Sequence, residues 1–151
     1  MSPQSKSELA REHLTRASTA FKAEYPVVGV TFLHLATEAA IVALAELHGI
    51  ATERQHWRKA RAATELYTCG TLSTDLSPIL ELLNQARKDA GYEGEAPDFG
   101  DLTSEDLLST VEDAVHTAEE ATQTSENETD TAEDAAQNTQ VSADTEEESI
   151  P

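Results

Sequence analysis

Three small groups of side chains have the types and spacing for chemistry. His34 and Glu38 are one helical turn apart and so share a face. Such a pair can be a satisfied polar contact within or between subunits, can line a groove together with Arg87, or can supply two ligands to a metal. Two ligands do not make a site, and no His-x-x-Glu-His pattern or comparable third donor is apparent, so neither a metal nor another cofactor is expected. Arg54, Arg58 and Arg61 fall at i, i+4 and i+7 and make a cationic stripe with Lys59 off to its side. Arginine offers bidentate donors to phosphates, and an acidic partner or the chain's own tail would suit the stripe equally well. Arg87 stands five residues before Tyr92, where the last basic pair gives way to acid. An arginine there can stabilise charge developing on a phosphate, whereas a tyrosine with a pKa of about 10 is a poor general base at neutral pH. Arg87 equally suits the negative end of a helix dipole, with Tyr92 stapling the loop beyond it. His13, His48, His56 and His116 have no evident partner, and Cys69, beside Gly70, has no histidine arranged to activate it.

The elements that must position these residues are helical, because apolar residues recur at three- and four-residue spacings and no stretch alternates as a strand would. A first helix is expected from Ser7 to Glu24, on a stripe of Leu9, His13/Leu14, Ala17 and Phe21. Tyr25-Pro26 marks its boundary. A second, from Val28 to Leu47, is apolar nearly all round, which suits the central helix of a bundle, and Gly49 supplies a stop. The third is expected from Glu53, capped by Thr52, to Thr68, with Trp57, Ala60, Ala63 and Tyr67 facing inward. Ser77-Pro78 opens a fourth that runs to Ala90 and ends at Gly91. Thr103 caps a fifth, with Leu107, Leu108, Val111, Ala114, Val115 and Ala118 as its stripe. The reading is an all-α, four- to five-helix up-and-down bundle over residues 7–121, preceded by a flexible N-terminus (1–6) and followed by a disordered acidic tail (122–151). The tail has nine acids, no bases and no aromatics, too little apolar surface to offset the entropy of ordering.

Charge is distributed unevenly along the chain. Residues 1–88 hold ten Lys/Arg against nine Asp/Glu; from Asp89 onward there are twenty acids and no Lys or Arg. Sparse lysine with abundant Thr, Ala, Asp and Glu points to a salt-adapted organism, while the near-neutral first half points instead to a specific acidic tail. A single cysteine excludes an intramolecular disulfide and zinc sites built on cysteine pairs, so a reducing, cytoplasmic compartment is expected. The N-terminal stretch shows no apolar h-region behind a basic start. The most apolar run, 27–50, holds His34, Glu38, Glu46 and His48, each costly in hydrocarbon, and is read as a buried helix and not a membrane span.

The stretches "HLATEAAIVALAELHGI", "RQHWRKA" and "LNQARKDAGYEG" followed by "LTSEDLLSTVEDAVHTAEE" resemble the HEPN superfamily, small all-α domains of prokaryotic toxin–antitoxin systems and defence nucleases, with an archaeal branch as the nearest likeness. The resemblance covers roughly residues 5 to 120. Ribonuclease members of that family carry an arginine, four to six residues, then a histidine at a helix end, usually in a dimer groove. Arg87 matches the arginine, Tyr92 stands where the histidine is expected, and His116 is far along the chain. The resemblance therefore implies a non-catalytic HEPN-like interaction module, RNA-associated or toxin–antitoxin-like. It would be a homodimer through its second and fourth helices, with a nucleotidyltransferase-type or other toxin–antitoxin partner. One alternative is an active metal-independent ribonuclease using Arg87 and Tyr92 with Glu38 nearby. Another is an adaptor whose acidic tail binds a basic partner without nucleic acid.

Overall fold

The computed structural model describes residues 1–53, 55–93 and 96–125, apart from the side chains of Tyr92 and Glu93. Arg54, the Tyr92 side chain and tail residues 126–151 therefore lie outside the described residues. Among the described residues the regular structure is all helical: α1 (Pro3–Lys22), α2 (Pro26–Leu47), α3 (His56–Thr68), α4 (Ser77–Lys88) and α5 (104–125). This is the all-α bundle that the helical periodicity predicts. The core runs through every helix, with Leu33, Ile41 and Leu44 of α2, Leu66 of α3, Leu80 and Leu83 of α4, and Leu107, Val111 and Val115 of α5 all buried.

α1 and α2 form an antiparallel hairpin about a three-residue turn in which Glu24 takes a positive φ of 63°. Their register follows from paired contacts. Phe21 lies on Gly29, His13 and Arg16 lie on Phe32, and Lys6 pairs with Glu46. Gly29 is what lets the two helices close on Phe21, since a Cβ there would stand 2.8 Å from the ring. α2 ends as expected at Gly49, whose φ of +68° allows Ile50 N–H to donate to Ala45 O and Gly49 N–H to Glu46 O, satisfying carbonyls the helix leaves over. By length and composition α2 alone among the described helices could cross a membrane, but 56% of its most apolar window is buried by its neighbours.

Loop 48–55 then returns the chain alongside α2. His56 stacks on His34 and Lys59 pairs with Glu38, so α3 runs in the same sense as α2. Alternation resumes from α3 to α4, whose facing ends are joined by Thr64 and Asp75. α5 runs antiparallel to α1, pinned by a buried hydroxyl pair, Ser7 with Thr122 at 3.0 Å, and by Arg11 reaching Glu112 and Glu119.

Several boundaries differ from the sequence reading, each for a local reason. α1 starts at Pro3, because Ser2 Oγ accepts the Ser5 N–H, so most of the N-terminal segment expected to be flexible is helical. α3 starts at His56, not Glu53, with Thr52 buried instead of capping. Its inward stripe is Ala62, Ala63 and Leu66, whereas Trp57 (54% exposed) and Tyr67 face outward, which corrects the assignment of Trp57 to the core. α4 opens at Ser77 as expected, with the Ser77 N–H donating to Asp75 Oδ1 and no side-chain cap from Leu76 before it. Gly91 does not stop α4, having no positive φ; the helix widens instead into a π-helical turn over Asp89–Glu93. Thr103 and Asp106 form the reciprocal cap expected at the start of α5, and α5 continues to 125, past the expected boundary at 121.

Candidate functional site

Three helices converge on one polar cleft. α2 contributes His34 and Glu38, the start of α3 contributes Gln55, His56 and Lys59, and the end of α4 contributes Asn84, Arg87 and Lys88, around a volume of about 430 Å³. The parallel course of α2 and α3 is what brings His56 to His34, with ring centroids 5.9 Å apart and planes 26° from parallel. The antiparallel return of α4 then delivers Arg87 to the same mouth. Three of the residues picked out from the sequence, His34, Glu38 and Arg87, thus meet across the bundle.

Glu38 is the hub. Its Oε1 lies 3.0 Å from His34 Nδ1, and its Oε2 is engaged by the Lys59 ammonium. Burial pushes the Glu38 carboxyl up, but the close approach of His34 and Lys59 outweighs it and holds the pKa at about 2. His34 is 2% exposed. Apart from that close approach to Oε1, neither ring nitrogen of His34 makes a hydrogen bond. His56 Nε2 is likewise buried without a partner. Burial pulls the His56 imidazole below its ordinary pKa, opposed by Glu38 and assisted by the positive charges of Lys59 and Lys88. At the rim, Arg87 is exposed and donates to Asn84 Oδ1 at 3.0 Å, one turn back on α4.

His56 and Lys59 were not legible as site residues. Lys59 appears to the side of the arginine stripe because it is on a different face of α3, the face turned to α2. His56 is eighteen residues or more from its partners in sequence, and only the returning loop makes it their neighbour.

Arg58 and Arg61 of the stripe face away from the cleft. They line a separate groove with Trp57 and loop residues Gly49–Ala51. There the Arg58 guanidinium lies 5.5 Å over the Trp57 ring, and Arg61 pairs with Glu65 at 3.4 Å. Cys69 is exposed, its thiol 3.2 Å from the Thr71 hydroxyl, which in turn is 3.3 Å from His48 Nε2. The hydrogen bond with Thr71 pulls the thiol pKa down.

Chemically, the described residues of the cleft offer two imidazoles, three cationic side chains and one carboxylate. The cationic groups outnumber the acid, so the mouth favours an anion, while the unpartnered nitrogens favour a group that accepts from or coordinates imidazole. Comparison of the chain with protein-family models, with curated proteins and with solved structures returns no match.

Proposed function

We propose that the protein is a helical interaction module of HEPN type that holds RNA through its phosphates in the cleft between α2, α3 and α4, without cleaving it. The observation that carries this reading is the gathering of Lys59, Arg87 and Lys88 around Glu38, the one carboxylate among the described residues of the cleft, in a chain otherwise strongly acidic. Phosphate contacts of this kind give affinity without base specificity. The composition supports placing the module in the cytoplasm of a salt-adapted prokaryote, and the HEPN resemblance implies a homodimer with a nucleotidyltransferase-type or other toxin–antitoxin partner. Val28 and Leu35, exposed two turns apart on one face of α2, supply apolar surface for a second copy.

The test is binding of a labelled single-stranded RNA by anisotropy across a salt series. Affinity should fall linearly with salt on logarithmic axes, and Arg87→Ala should weaken it roughly tenfold, the loss of one charge-assisted contact. The RNA should stay intact on prolonged incubation. Affinity indifferent to Arg87 overturns the reading.

A ribonuclease is favoured by one specific feature. The proton-carrying imidazole that position 92 lacks is available from His56 across the cleft from Arg87. RNA cleavage abolished by Arg87→Ala and by His56→Ala would replace the binding module with the enzyme.

A further inference from the structure

We infer that His34, Glu38 and His56 form a binding site for a divalent transition metal of the zinc type, with a fourth coordination position open to the cleft. One ligand atom from each residue lies within 4.8 Å of the other two. Bonds of about 2.0–2.2 Å at tetrahedral angles place ligand atoms roughly 3.4 Å apart, so the trio is already close to a coordinating arrangement. His34 and Glu38 are fixed on one face of α2 by their spacing, at 3.0 Å from Nδ1 to Oε1. His56 is the first residue of α3 and only partly buried, so a side-chain rotation there closes the remaining gap.

Two further observations point to a ligand. His34 is almost wholly buried, yet neither ring nitrogen has a hydrogen-bond partner, and His56 Nε2 beside it is also unpartnered. Buried polar atoms in a folded protein are normally satisfied, and a shared metal would satisfy these together. The carboxylate is already divided between two roles. Oε1 faces the imidazole, while Oε2 is held by Lys59, which would orient the carboxylate from outside the coordination sphere.

The donor set selects the metal. Two nitrogens and one oxygen suit zinc, or cobalt in its place, and do not suit calcium or magnesium, which take oxygen ligands. Three protein ligands leave a position for water or for a phosphate oxygen, on the side lined by Asn84, Arg87 and Lys88. The positive charge of Lys59 and Lys88 nearby lowers the affinity below that of an all-anionic site.

The inference does not depend on the RNA reading, because metal uptake is measured without RNA. Full-length protein is freed of metal with EDTA, dialysed against zinc chloride, and analysed for zinc per chain. Cobalt(II) is then added and its visible d–d bands recorded. One zinc per chain is expected, with intensified cobalt bands typical of four or five ligands including nitrogen. Affinity should drop at least tenfold in His56→Ala and in Glu38→Gln, both checked for unchanged helicity by circular dichroism. His116→Ala and Cys69→Ser serve as controls. His116 pairs with Glu120 at 3.0 Å in the same one-turn spacing but on the surface, and Cys69 is the exposed thiol. Both should retain zinc. No stoichiometric zinc, or zinc lost with His116 or Cys69 while His56→Ala keeps it, overturns the inference.

Discussion

Glu38 is stabilising only while it is ionised. Its folded-state pKa of about 2 lies below the ordinary value of 4.5, so its contribution is complete above about pH 4.5 and is lost as the pH falls toward 2. The many other carboxyl groups titrate alike in wild type and variant, so the stability difference between wild type and Glu38→Gln isolates this one. At neutral pH the variant should be less stable by about 1–3 kcal/mol, since Lys59 and His34 lose their charged neighbour. Urea melts should show that difference holding constant down to about pH 4.5 and shrinking below it. A difference that persists unchanged to the acid limit would contradict the assignment of Glu38 as the hub. The spacing of His34 and Glu38 makes this half of the site legible from sequence, because one turn of helix is enough to join them. His56 was not legible: its proximity is a tertiary fact, set by a loop whose path no local pattern encodes.

Among the elements, the helices themselves follow from periodicity, and their errors concentrate at ends and phases. The α3 stripe shifts by one position because Ala62 and Leu66, small and aliphatic, pack more closely against α2 and α4 than Trp57 and Tyr67 would. The stop expected at Gly91 fails because that glycine lacks the left-handed backbone of a helix stop and is drawn into the π-helical turn, while Gly49, with its left-handed backbone, ends α2 where the sequence places it. The α1–α2 hairpin depends on a different glycine. Gly29→Val would drive a branched side chain into the Phe21 ring, which is itself packed edge-on against Phe99 with centroids 6.3 Å apart. Overpacking of this kind costs about 1–3 kcal/mol, and a β-branched residue returns little of it in helix propensity. A lowered thermal midpoint is expected, measured by circular dichroism, and restored in part by Phe21→Ala, which clears the space. A Gly29→Val protein as stable as wild type would show that the two helices are not held at this contact.

For the whole molecule, charge separates along the chain more sharply than across the fold. Arg11 of α1 reaches Glu112 and Glu119, so the near-neutral first half and the acidic second half are joined by α1 and α5, away from the cleft. Residues 126–151 carry nine acids and no base. If the cleft holds RNA as proposed, removing them should strengthen that binding severalfold at low salt, and the gain should vanish near 1 M salt, where charges more than about 3 Å apart are screened. Titrations of full-length and shortened protein at both salts measure this, and equal affinities at low salt would place the tail's charge out of reach of the cleft. The returning loop 48–55 has a consequence of its own. It divides the cleft between two hairpins, α1–α2 carrying His34 and Glu38, and α3–α4 carrying His56, Lys59 and Arg87. A chain cut within that loop yields two fragments, neither holding a complete site, and whatever the cleft binds becomes a clasp whose capture reports that the halves have found each other again.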